Sequence, residues 1–126
     1  MKETFYKGAA GNLSLHLVTV SLAALAVNSS VIAVDGLPIG TQITGIRVVT
    51  DALGAGTEVT AKVVTHGGDE TSLAAFDTVA AGNAAEFVKP VYVGDEGPSD
   101  LVLENTGTGP ASGEIVVQLE YRYKGY

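Results

Sequence analysis

Gly113-Glu-Ile-Val-Val-Gln-Leu-Glu-Tyr-Arg-Tyr123 is the stretch whose reading decides the fold. One parity carries Ile115, Val117, Leu119, Tyr121 and Tyr123. The other carries Glu114, Val116, Gln118, Glu120 and Arg122, so only Val116 breaks the alternation. Successive side chains of a strand point to opposite faces, which gives this segment one apolar face and one charged face. At helical spacing the same residues would scatter around the axis. Extended, residues 113–123 span about 36 Å. A half-buried strand of that length needs a partner on each edge and a second layer over its apolar face.

The remaining sequence supplies such partners. Residues 13–20 read as a first strand, which 22–27 continue or bend away from. Asn28-Ser-Ser30 reads as a turn, because these side chains bond their own backbone. Residues 31–34 form a short strand, and Asp35-Gly-Leu-Pro38 a loop. Residues 41–50 are rich in β-branched side chains and read as a strand, with a bulge or close approach at Gly45. Residues 57–65 alternate Val59, Ala61 and Val63 inward against Glu58, Thr60 and Lys62. With the short loop 51–56 between them, 41–50 and 57–65 are expected to pair as an antiparallel hairpin.

Residues 71–75 read as another short strand, and 76–85 as irregular or as one helical turn capped by Asp77. Residues 86–93 form a strand interrupted by Pro90, which is expected either to lie at a sheet edge or to bend there. Residues 100–104 form a strand, and 105–113 a Gly-rich loop into the closing segment. The expectation is an all-β fold of about seven or eight strands, an antiparallel two-sheet sandwich of jelly-roll type. Residues 1–12 are expected to be a flexible arm and 13–126 a single sandwich domain.

Composition narrows the function. The 126-residue chain carries a formal charge of −7 and no cysteine. Disulfides and thiolate chemistry are excluded, and an acidic chain is a poor nucleic-acid binder. Leu13 to Val34 is the one stretch with the flavour of a membrane span or signal peptide. Ser14, His16, Thr19, Ser21 and Asn28 interrupt it, and Leu13, Leu15 and Leu17 alternate with Ser14 and His16, which favours strands. With Met1 at its head, the chain is expected to have lost no leader.

Candidate chemistry is thin. His66, Asp69 and Glu70 surround Gly67-Gly68, but a zinc site wants three or four ligands with outer support, and a polar hairpin tip explains them. Asp95, Glu96 and Asp100 lie in an acidic loop that lacks the spacing of a helix–loop–helix calcium site. Gly54-Ala-Gly56 and Gly107-Thr-Gly109 are fragments of phosphate-loop patterns without the helix such loops need. No catalytic residue, metal ligand or cofactor is expected. Phe5, Tyr6 and Lys7 either belong to a loose terminus or dock on a neighbouring subunit. Tyr121 and Tyr123 either fill the core rim or, with Tyr126, reach a partner.

Leu37-Pro-Ile-Gly-Thr-Gln-Ile-Thr-Gly-Ile-Arg-Val-Val-Thr-Asp-Ala-Leu-Gly-Ala-Gly-Thr57 and the closing segment together resemble the small β-sandwich structural proteins of tailed bacteriophages. The resemblance spans residues 37–65 and 86–126, about two thirds of the chain, at the level of pattern. It implies a capsid decoration, or cement, protein: a homotrimer on the outer surface of the virion, bound where major capsid subunits meet. It would be made in the cytoplasm of a bacterial host, with neither nucleic acid nor membrane as partner. Phe5, Tyr6, Lys7, Tyr123 and Tyr126 are then the expected partner-binding residues. A tail or fibre component and a carbohydrate-binding sandwich are the alternatives.

Overall fold

The computed structural model describes residues 13–65, 70–93 and 98–123. Eight strands follow in order: β1 (Leu13–Leu25), β2 (Ser30–Leu37), β3 (Thr41–Thr50), β4 (Glu58–Thr65), β5 (Glu70–Asp77), β6 (Gly82–Tyr92), β7 (Ser99–Asn105) and β8 (Ala111–Tyr123). They form two four-stranded antiparallel sheets, ordered β1-β8-β3-β6 and β2-β7-β4-β5. This is the two-sheet arrangement of a jelly roll.

The closing segment occupies the place its alternation demands. β8 lies between β1 and β3, with Val117 opposite Val18 on one side and Val48 on the other. Ile115, Val117, Leu119 and Tyr121 are fully buried. Leu101 and Leu103 of β7 and Val59 and Ala61 of β4 form part of the same apolar core, from the opposite sheet. β4, β7 and β8 thus contribute every second residue to one layer between the sheets.

The expected hairpin of 41–50 with 57–65 does not form. β3 pairs with β8 and β6, whereas β4 pairs with β7 and β5 in the other sheet. The connection crosses the core instead of turning back beside its own strand. Stacked sheets lie about 10 Å apart, a gap that a loop of this length spans easily. The loop is anchored, because Leu53 N donates to Thr78 O at 2.9 Å and Ser112 N donates to Leu53 O at 2.9 Å. Of the sequential pairs, only β4 and β5 are neighbours in one sheet.

Other boundaries shift. β2 runs through Gly36, which takes a positive φ of 79° and donates its N–H to Asp100 Oδ1 at 2.9 Å. That side-chain acceptor lets the strand continue where an Asp-Gly-Leu-Pro loop was expected. β1 extends to Leu25 through an irregularity between Leu22 and Leu25, where Ala24 adopts φ 50°. Residues 76–85 contain no helix; Asp77 Oδ1 accepts from Val79 N at 3.0 Å and caps a tight turn between β5 and β6. Among the described residues no helix is long and apolar enough to cross a membrane.

The bulge expected at Gly45 is present: the register of β3 shifts between Ile43 and Gly45 against both neighbours. A Cβ there would lie 3.2 Å from Glu86 O and 3.3 Å from Glu120 Oε1. Buried Asn105 holds the β7–β8 loop, donating from Nδ2 to Leu25 O at 2.9 Å and Gly109 O at 2.8 Å. Its Oδ1 accepts from Gly107 N at 3.1 Å. Gly107 packs so closely that a Cβ would overlap Gly56 O and approach Glu58 N to 2.6 Å. Gly107→Ala is therefore expected to lower stability by about 1–3 kcal/mol in urea unfolding, the range for overpacking. Gly82→Ala, whose Cβ would meet nothing within 4 Å, should shift stability by less than about 0.5 kcal/mol.

Candidate interaction surface

The outer face of the β1-β8-β3-β6 sheet carries apolar side chains in water. The register sets Leu17 beside Gln118, and Gln118 beside Arg47, which lies opposite Ala85. The next row up runs Thr19, Val116, Val49 and Asn83; the next row down runs Leu15, Glu120, Gly45 and Phe87. Leu15, Leu17, Val49 and Phe87 are exposed, Phe87 by 95%. Val116, the one apolar residue on the polar parity of β8, is half-buried beside Val49. Arg47 Nη2 reaches Glu120 Oε2 at 3.4 Å, and Thr44 Oγ1 donates to Glu120 Oε1 at 3.0 Å. Isolated exposed leucines are ordinary, but several on one sheet face make that face a candidate for contact.

The phase of β1 produces this face. The alternation of Leu13, Leu15 and Leu17 against Ser14 and His16 runs with Leu15 and Leu17 outward and His16 buried. The opposite parity places Val18, Val20 and Leu22 toward the core. A one-residue slip would bury the leucines and expel those three.

The outer face of the other sheet is acidic. Glu58, Glu70, Asp100 and Glu104 stand on it around Lys62. Lys62 Nζ donates to Glu70 Oε1 at 3.1 Å and forms an ion pair with Glu104. The hydrogen bond to Glu104, then that to Glu70, holds the lysine pKa above its ordinary value. Among the described residues no group of three His, Cys, Asp or Glu could hold a metal ion.

β6 is the third feature. It ends its sheet, as Pro90 led us to expect. Its residues 82–87 pair regularly with β3, from Gly82 opposite Thr50 to Phe87 opposite Gly45. The register then jumps, so Val91 faces Ile43 and Lys89 and Pro90 fall in the irregular part. Residues 82–87 are exposed throughout. A groove of ≈ 400 Å³ runs beneath their inner face, lined by Val48, Phe76, Val79, Ala80 and Ala84. A second, of ≈ 390 Å³, lies on the outer face between Gly45, Arg47, Ala85, Phe87 and Glu120. Small residues at Ala84, Ala85 and Gly45 leave both open.

Of the residues the sequence singled out, Tyr123 ends β8 half-buried, opposite Thr41. Tyr121 fills the core. Glu70 and Asp100 are placed on the acidic face with the partners given above. Phe5, Tyr6, Lys7, His66, Asp69, Asp95, Glu96 and Tyr126 lie outside the described residues. Sequence reasoning missed Leu15, Leu17, Val49 and Phe87. The signal for β1 was apolar character on both parities of one strand; for Phe87 it was one large aromatic within a run of Ala, Asn and Glu.

No protein-family model matches the chain, and no curated protein matches it in sequence. Solved structures do share its fold. A chain in the capsid of Ralstonia phage GP4 superposes with a TM-score of 0.67 at 18% identity, covering 100% of this chain and 92% of that one. A chain of the cyanophage Pam1 capsid asymmetric unit gives 0.59 at 17% identity, covering 96% and 91%. A chain of the acid-stable capsid of Helicobacter pylori bacteriophage KHP30 gives 0.61 at 13% identity, covering 93% and 92%. The chain therefore has the sandwich fold of these phage-capsid chains.

Two outcomes test this surface. Phe87→Ala should move the unfolding free energy by less than about 0.5 kcal/mol, because the ring makes almost no contact within the chain. For Lys62, a raised pKa means that its pairing stabilises the fold while the lysine is charged. That stabilisation is full below the ordinary lysine pKa and is lost as pH rises through the raised value. The difference in melting temperature between the parent and Lys62→Met should accordingly shrink on alkaline titration.

Proposed function

We propose that this chain is a structural protein of a bacteriophage virion, one that decorates the outer surface of the head and stabilises it. It binds as a homotrimer where major capsid subunits meet. The observation that carries the reading is the mutual, nearly end-to-end match with the GP4, Pam1 and KHP30 chains. The sandwich is essentially the whole of each matched chain, not one part of a larger protein. The role calls for a rigid body with contact surfaces and for no catalytic group.

The two outer faces suit such a body. The face with Leu15, Leu17 and Val49 has apolar area to bury against a shell. The face with Glu58, Glu70, Asp100 and Glu104 stays hydrated and keeps an abundant protein soluble before assembly in the bacterial cytoplasm. Many copies at symmetric positions turn modest single contacts into firm attachment. Phe5, Tyr6 and Lys7, with Tyr123 at the end of β8 and Tyr126 beyond it in the sequence, are the residues proposed to contact neighbouring copies or the shell.

Mixing the purified chain with emptied and DNA-filled bacteriophage heads, followed by electron cryo-microscopy, tests the reading. The expected result is added density at lattice points in groups of three. A monomer that ignores heads and binds glycans in titration would overturn it.

A further inference from the structure

The edge of β6 has the features that an acceptor for an added strand needs. A strand at the end of a sheet presents a row of unpaired N–H and C=O groups, which natural folds blunt with lysine, proline or bulges. Here those devices sit at Lys89, Pro90 and the register jump, beyond Phe87. The regular half, residues 82–87, has neither lysine nor proline. It is flanked on its inner face by the groove under Ala84 and on its outer face by the groove beside Ala85 and Phe87. Strand addition takes affinity from main-chain bonds and selectivity from pockets for alternate side chains. An edge with a groove on each face offers both.

We propose that residues 1–12 of a second copy of this chain add to β6 as an antiparallel strand. Extended, that segment spans about 40 Å, ample for residues 82–87. It contains the adjacent pair Phe5-Tyr6. In a strand, neighbours point to opposite faces, so each groove receives one ring. Lys2 and Lys7 give the segment a positive balance in a chain of net charge −7, and Glu86 and the exposed Asp77 flank the site.

The geometry favours another copy over the chain's own arm. Leu13 opposes Arg122, Arg122 opposes Gln42, and Gln42 opposes Tyr92. The arm therefore enters β1 at the end of the sheet where β6 finishes. Laid on its own β6 it would run parallel, the weaker pairing, in a sheet that is otherwise antiparallel. Donor and acceptor are different parts of the surface, so the contact is head-to-tail and closes into a ring when the rotation allows.

This rests on the self-assembly proposed above and not on capsid attachment. The chain has no cysteine, so single cysteines report cleanly. Full-length Phe5→Cys or Tyr6→Cys is mixed with full-length Ala84→Cys or Ala85→Cys under glutathione disulfide. Ile32→Cys, exposed on the opposite sheet, controls for chance encounter. The expected result is a disulfide between different chains, at least tenfold above the Ile32→Cys control. Cross-linking at the control level overturns the proposal. So does a link that forms only inside a chain carrying both cysteines. Native mass spectrometry of the parent separates the failures: a trimer without the link removes the acceptor site alone, and a monomer removes self-assembly as well. Deleting residues 2–11 should leave the circular dichroism spectrum unchanged and abolish the oligomer; a truncated chain that unfolds, or that still assembles, contradicts the proposal.

Discussion

Burial of one face of β8 between two sheets is the constraint on which the rest depends. Ile115, Val117, Leu119 and Tyr121 have no exposure, and ladders to β1 and β3 hold the strand on both edges. A central strand so paired cannot slip by one residue without turning four apolar side chains to water and Glu114, Gln118 and Glu120 into the core. The register of β8 then fixes those of β1 and β3, and through β3 that of β6. The surface features are consequences of that chain of pairings. The Leu15–Leu17 face exists because β1 must present Val18, Val20 and Leu22 to the core opposite β8.

The loops at one end make the same point in polar terms. Asn105 bonds to the backbone at Leu25, Gly107 and Gly109. Thr78 Oγ1 donates to Thr57 Oγ1 at 2.9 Å, and Thr108 N donates to Gly56 O at 2.8 Å. Loops that cross between sheets would otherwise bury unpaired backbone groups. Here they satisfy one another, so this end is closed by hydrogen bonds. The β6 edge is different. Its inner residues Ala84 and Glu86 are exposed, and Ala84 is too small to fill the space above Val48 and Phe76. Around the first half of β6 the sandwich therefore leaves room on both faces of an edge strand.

Much of the fold was legible in the sequence because its strands alternate. The period-two pattern of residues 113–123 and of 57–65, and the β-branched content of 41–50, mark strands in their right places, and Pro90 marks an edge or a bend. Pairing was harder to read. Loop 51–56 looks like a hairpin turn, and nothing in its composition separates a turn within one sheet from a crossing between two. Burial of Leu53 and Thr57 is what distinguishes them, and that is a tertiary fact. The inward phase of β1 was equally hidden, since leucines on one parity and valines on the other compete for the core. The exposed apolar face was hardly legible at all. Leu15, Leu17, Val49 and Phe87 look like core residues until register places them outside.

The most direct test is amide hydrogen exchange across a concentration series. Burial of β8 as the organising event predicts that amides of residues 115–121 exchange only through global unfolding at every concentration. An open β6 predicts rapid exchange of those amides of residues 82–87 that point away from β3 in the dilute chain, and slower exchange of the same amides as copies associate. Fast exchange along 115–121 under conditions where 82–87 are already protected would contradict the account.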